Sequence, residues 1–261
     1  MDDDFDNGWD CRATLVEGRW VERTPRRAEV QPQLRREATV LPWLAAQVTL
    51  AVPSPRIVSE DPLTLRHVLI VGAACPGTSA SHGAAVGAFL AELHALDPDD
   101  AVRRGARDAA TSFDEAQAIR DRMQHVVLPR LPADVHAPAV ALLERMARPC
   151  DDPRMIHGDL GPEHVLVVGD EVTGVIDWGD SGVGDPAVDL AWTLYGSAPA
   201  FAEALRAAYR PDDAVLTRGR DWHLMGPWHE VLFGLDTEQP GFVASGLEGT
   251  AARLRAVVLP R

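Results

Sequence analysis

The sequence predicts an α+β chain of two unequal parts, a small strand-rich lobe over residues 1–74 and a larger helical lobe over 75–261. Three observations predict it. Short β-prone runs crowd the first 75 residues, apolar positions recur at helical spacing from His82 onward, and one strand–turn–strand unit at 156–178 interrupts the helices.

In chain order, CRATLVEGRWVERT (11–24) reads as a hairpin turning at Glu17-Gly18. Leu34, Ala38, Leu41 and Leu44 mark a helix over 32–46, interrupted at Pro42. IVSEDPLTLRHVLIVG supplies two more strands with a turn at Asp61-Pro62, and ACPGTSAS (74–81) reads as a linker beside a hinge near 72–78. Apolar spacing then predicts helices over 84–96, 113–128 and 136–148, the second opened by Ser112 as N-cap with Glu115 three residues on. In the embedded unit the turn is expected over GDEVTG (169–174), and Asp185-Pro186 opens a further helix.

Composition narrows the function. The chain of 261 residues is 46% hydrophobic, long enough for a sizeable core, and has no uninterrupted apolar run of membrane-spanning length. The acidic start MDDDFDNGWD has no apolar secretory core, so a cytoplasmic location is expected. Cys11, Cys75 and Cys150 lie far apart without metal spacing and read as free thiols. A formal charge of −14 disfavours nucleic acid as a partner and is compatible with a cationic small molecule. The chain contains no lysine, so every task needing a cationic side chain falls to arginine.

The chemistry concentrates in MIHGDLGPEHVLVVGDEVTGVIDWGD (155–180). Asp159 and Asp177 each end an apolar run, and a hairpin between them brings both, with His164, to one edge. Carboxylates held together need a cation or a shared proton, and Mg²⁺ is the natural cation because it takes oxygen ligands and keeps positions for phosphate. The other carboxylate is then free to accept a proton from a hydroxyl. Read as structure alone, both would be turn caps.

HGDLGPEHVLV followed by GVIDWGD resembles the catalytic and metal-binding core of the aminoglycoside phosphotransferases and related antibiotic and small-molecule kinases, whose pattern is H-G-D-x-x-x-x-N, a strand, then I-D-[WF]-[GE]. RWVERTPRR, LRREATVLPWL, LAELHAL and GDPAVDLAWTL are similar to further segments of that family, so the likeness runs through nearly the whole chain. It implies a two-lobed protein-kinase-like fold, with residues 1–74 as the nucleotide lobe and 75–261 as the catalytic and substrate lobe. The implied activity is transfer of the γ-phosphoryl of ATP or GTP to a hydroxyl of an aminoglycoside-type antibiotic; a macrolide or other small amino-alcohol is the rival acceptor, and a non-catalytic nucleotide-binding pseudokinase the rival class. A protein kinase is disfavoured because an activation segment has no room after Asp177. By position, Asp159 is the catalytic base, Asp177 binds Mg²⁺, His157 braces the loop, and Arg23 takes the place of the phosphate-contacting lysine with Glu37 as helix partner. Arg26 and Arg27 compete for the Arg23 role, and a solvated helix face competes for Glu37.

His164 stands where the pattern has the second metal ligand, asparagine; macrolide phosphotransferases are similar in this D-x-x-P-x-H arrangement. Imidazole is a poor Mg²⁺ ligand, so His164 either holds the catalytic Asp159 by a hydrogen bond, acts through water, or biases the site toward Mn²⁺. No G-x-G-x-x-G loop is present, although Gly8 precedes the first strand. For the acceptor, Asp180 is a candidate contact, and DWHLMGPWHEVLFGLD (221–236) offers Trp222, His223, Trp228, His229 and Glu230. Trp228 and Glu230 are taken as substrate contacts, with core packing the equal alternative for the tryptophans. Asp185, Asp189 and His94 read as structural, the aspartates capping a helix and tying the catalytic loop.

Overall fold

The computed structural model describes residues 10–258, so the expectation at Gly8 lies outside the described residues. The first sheet is antiparallel in the order β1-β2-β4-β3, from β1 (Cys11–Val16), β2 (Trp20–Pro25), β3 (Arg56–Glu60) and β4 (Leu63–Val68). The β1–β2 turn uses Glu17 and Gly18, both at positive φ, as a tight hairpin requires. Helix α1 (Gln31–Leu44) crosses this sheet and buries Leu34 against Cys11, Leu63 and Leu65. Helix α1 runs through Pro42 to Leu44, giving up one i→i−4 hydrogen bond near its C-terminal end.

Two smaller sheets follow. One has the order β5-β7-β8, from β5 (Ala73–Ala74), β7 (Val165–Val168) and β8 (Glu171–Val175); the other pairs β6 (Arg154–Ile156) with β9 (Gly182–Gly184). The linker expected over 74–81 is therefore partly strand, since Ala73 and Ala74 pair with Val167 and Leu166. The β7–β8 turn is also tighter than 169–174: Gly169, at φ +59°, lets β8 start at Glu171.

Helices fill the remainder: α2 (Ala80–His94), α3 (Pro98–Arg103), α4 (Ala109–Arg122), α5 (His136–Met146), α6 (Leu190–Tyr195), α7 (Pro199–Tyr209), α8 (Asp213–Asp236) and α9 (Pro240–Val258). The cap of α4 is Asp108 rather than Ser112: the Asp108 carboxylate accepts the Thr111 N–H at 2.7 Å, and Ser112 lies inside the first turn. Asp185 caps the 3₁₀ turn that leads into α6, accepting the Ala187 N–H at 3.1 Å. No described helix is long and apolar enough to cross a membrane, and the three cysteines are unpaired.

One apolar core joins α1 to the helical part, packing Val40, Leu41 and Leu44 with Phe89, Leu90, Val165 and Trp178. A second core holds α5, α8 and α9 together around Met123, Leu142 and Trp228. Helix α2 meets α7 without side-chain spacers at Gly83 and Gly87, where an added Cβ would run into the carbonyl oxygens of Phe201 and Leu205. Gly83→Ala is therefore expected to destabilise the fold by about 1–3 kcal/mol, the usual cost of overpacking, read as a lower urea midpoint at unchanged m-value.

Candidate active site

Strand β6 ends at Ile156, and the chain then turns through His157, Gly158 and Asp159. Gly158 sits at φ +91°, and a Cβ there would collide with the Asp180 carbonyl, so only glycine lets the two loops approach. Asp189, fully buried, accepts the backbone N–H groups of His157 and Gly158, each at 2.9 Å, and is bonded to His94 Nε2 at 3.1 Å. His94 in turn bonds the Tyr209 hydroxyl at 2.7 Å. Burial alone would raise the Asp189 pKa; the hydrogen bond and charge of His94, with the backbone N–H of His157, outweigh it and hold the carboxyl below the ordinary aspartate value.

His157 is buried and bridges two loops. Its Nε2 lies 2.9 Å from the Ile176 carbonyl, which can only accept, so Nε2 carries the proton and Nδ1 is left to accept the Asp159 N–H at 3.3 Å. The ring packs edge-on against Trp178, 4.6 Å between centroids. The Asp159 side chain is 67% exposed and the Asp177 side chain 55%, so both carboxylates face outward from a buried scaffold. Asp177 adopts φ +62°, which turns the chain sharply out of the strand direction at this position.

His164 lies between the two aspartates. Its Nδ1 donates to the Asp159 backbone carbonyl at 2.6 Å, so in the neutral ring the Nε2 lone pair faces Asp177 Oδ2, 3.6 Å away. A lone pair and a carboxylate converging at that separation call for a proton or a metal cation between them. The residues present thus fit a divalent cation with mixed nitrogen and oxygen donors. Among the described residues no group of three or more His, Cys, Asp or Glu is arranged to hold one alone, so phosphate oxygens would complete the set.

Arg23 on β2 and Glu37 on α1 form an ion pair at 2.5 Å, and Glu37 is only 3% exposed, which overturns the solvated-face reading. Burial works against the Arg23 charge, but Glu37, with Cys11 and Asp177, outweighs it and raises the guanidinium pKa. The influence of Asp177 sets this pair on the same side as the two aspartates.

Below Asp159 a cavity of about 1160 Å³ opens between α4, α8 and the loop of Asp180. The Asp180 carboxyl faces the cavity. Desolvation there and the nearby Asp159 raise its pKa, against the Arg107 guanidinium, which donates to the Asp180 and Ser181 carbonyls.

The family model described as the phosphotransferase enzyme family (APH) matches residues 4–228. The chain belongs to this phosphotransferase family. The fold is that of solved members: a GDP and kanamycin complex of APH(2″) superposes with TM-score 0.83 at 21% identity, covering 97% of this chain and 92% of that one. A macrolide 2′-phosphotransferase from Brachybacterium faecium superposes with TM-score 0.73 at 25% identity over 97% and 91%. Among curated sequences, an uncharacterized protein of Bacillus subtilis, YcbJ, is 29% identical over 68% of this chain and 63% of its own. A homoserine kinase of Rhodopseudomonas palustris is 34% identical over 52% and 45%. The chain thus spans less than two-thirds of the length of either relative.

In this chain the structure brings Asp159, His164, Asp177 and Asp180 together, with Arg23 and Glu37 beside them, but not Trp228 or Glu230. Trp228 is fully buried in the α5–α8–α9 core, and Glu230 turns to α9, accepting the Ser245 hydroxyl at 2.5 Å. Besides Arg218, His223 and Met225, α8 lines the cavity with Trp222, Gly226, His229 and Phe233. Their 4-3-4 spacing is one helical stripe, and that periodicity was the available signal. Arg107, Phe113 and Arg120 of the opposite wall carried no motif and escaped sequence reading.

Asp189→Asn is expected to cost about 3–5 kcal/mol, since it breaks a buried charged network. With the folded pKa depressed, the wild-type carboxylate stabilises fully above the ordinary aspartate pKa near 4, and that stability is lost as pH falls through the folded value. The variant should therefore show a flatter acid limb in a stability–pH profile; an unchanged limb would contradict this account.

Proposed function

We propose that the protein transfers the γ-phosphoryl of ATP or GTP to a hydroxyl of a small molecule bound in the cavity under Asp159. Residues 1–74 serve as the nucleotide lobe and 75–261 as the catalytic and acceptor lobe, acting in the cytosol. The observation that supports this most is one of placement: Asp159 opens onto the cavity while Asp177 faces outward beside it across His164, on loops locked from behind by Asp189 and His157.

In this reading the acceptor hydroxyl attacks the γ-phosphorus, its proton passes to the Asp159 carboxylate, and the bond to the bridging oxygen breaks to release the nucleoside diphosphate. Arg23, held by Glu37, stands toward the phosphates and offsets their charge. Asp177 and His164 would hold the metal, Mg²⁺ or Mn²⁺, which when bound neutralises phosphate charge. Because imidazole suits softer ions than Mg²⁺, the His164 lone pair favours Mn²⁺ as the better activator. The outward Asp159 and Asp177 argue against a pseudokinase, which has no need of either.

The antibiotic reading of the acceptor draws support from the aminoglycoside and macrolide phosphotransferases that share the fold. A hydroxylated amino acid draws support from the homoserine kinases among the sequence relatives. The cavity lining mixes arginines (Arg107, Arg120, Arg218) with acids (Glu115, Asp159, Asp185), so its charge does not select a polycation. An amino-alcohol of mixed charge suits it better than a fully basic aminoglycoside.

The test is nucleotide turnover with Mg²⁺ or Mn²⁺ against aminoglycosides, macrolides and hydroxylated amino acids. Asp159→Asn should lower acceptor-dependent turnover about 10²–10⁴-fold, the usual contribution of a general base. Equal turnover in the variant would remove Asp159 from this role.

A further inference from the structure

We propose that the acceptor carries an anionic group, a carboxylate or a phosphate ester, that docks on the Arg120 guanidinium in the α4 wall of the cavity, remote from the phosphorylated hydroxyl. The inference rests on the reading of this cavity as the acceptor site. Arg120 is 6% exposed, and Nε has no hydrogen-bond partner. Its Nη2 donates to the Gln117 side-chain oxygen at 3.0 Å, and the guanidinium lies 5.3 Å from the centre of the Phe113 ring. Neither contact carries a negative charge. A buried guanidinium without an anionic partner is an expensive thing for a fold to keep unless a ligand supplies the anion.

The neighbouring acids are engaged elsewhere. Asp185 pairs with Arg218 at 2.7 Å and accepts the Trp222 indole N–H at 2.8 Å, besides capping the turn before α6. Asp121 accepts from Gln117 Nε2 at 2.7 Å. Desolvation and the Arg218 charge work against the Arg120 proton and outweigh the support of Asp121 and Asp185, so its pKa is lowered; the charge of a bound anion would offset that cost. Arg253, on the α9 side, donates to the His223 carbonyl and has no carboxylate partner among the described residues.

Within this mixed lining the carboxylates of Asp159 and Asp180 stand at the catalytic end, where they suit a hydroxyl and an amino group, while Arg120 in the α4 wall holds a guanidinium without a carboxylate bonded to it. Ser112 of α4 packs on Gly182 and Gly184 of β9, and Arg120 lies eight residues further along the helix, about 12 Å at 1.5 Å per residue. The guanidinium fork matches carboxylate and phosphate equally, so the geometry assigns the charge and leaves the two sources to experiment.

The test uses matched pairs of polyhydroxy compounds, lactobionate with lactitol and trehalose 6-phosphate with trehalose, titrated calorimetrically into the full chain in phosphate- and sulfate-free buffer. In at least one pair the anionic member should bind about tenfold more tightly. Arg120→Met should reduce that preference to about twofold or less, and Arg120→Lys should keep part of it, because a point charge remains without the fork. Arg120→Met should also raise the thermal midpoint, since it removes an unpaired buried charge. Equal binding within both pairs, no binding of either anion up to about 10 mM, or an unchanged preference in Arg120→Met would each overturn the proposal. A lower midpoint with the preference intact would make Arg120 structural. Anion binding through Arg120 without turnover of any nucleotide with any acceptor would keep this site and sink the phosphotransferase reading.

Discussion

The Asp189 carboxylate joins two segments that sequence keeps far apart: His94 on α2 and the successive backbone N–H groups of His157 and Gly158. Removing a carboxylate from water is costly, and only a full set of donors makes it tolerable. The interaction is therefore close to all-or-none, and it fixes the 157–159 loop against the helical core. Everything exposed at the site follows from that buried anchor. With the backbone at 157–158 held, Asp159 projects outward, and His157 carries the constraint across to Ile176 and thus to Asp177.

Charge is partitioned with the same economy. A chain without lysine uses arginine both for surface pairs and inside. Arg23 ties the first sheet to α1 through Glu37, and its field reaches Asp177, so the element that would meet phosphate is set by the same contact that holds α1 in place. Gly179 adds a second tie: the Gln33 side chain of α1 occupies the space a Cβ would take there. The first sheet and the helical part are thus coupled through α1 and a continuous apolar core.

Much of this was legible in the sequence because it depends on local chemistry. The order of strands and helices followed from apolar periodicity, and Asp159, His164 and Asp177 were found by their Gly and Pro punctuation, since turns with positive φ leave a compositional trace. The helix cap shifted from Ser112 to Asp108 because two capping residues stood within one turn and only the geometry chooses between them. Trp228 and Glu230 were misread because composition gives the content of α8 but not its rotation about the helix axis. That rotation is fixed by packing on α5 and α9, whose contacts are non-local. Arg120 was invisible for a related reason: an arginine in a polar helix reads as solvated until the wall that buries it is known.

The central claim is a division of labour, with Asp177 holding the metal–nucleotide and Asp159 serving the acceptor. Electron paramagnetic resonance of Mn²⁺ titrated with ADP or GDP tests it most directly, comparing Asp177→Asn with Asp159→Asn. The account predicts nucleotide-dependent Mn²⁺ binding that is lost in Asp177→Asn and kept in Asp159→Asn. Equal loss in both variants, or retention in Asp177→Asn, would contradict it.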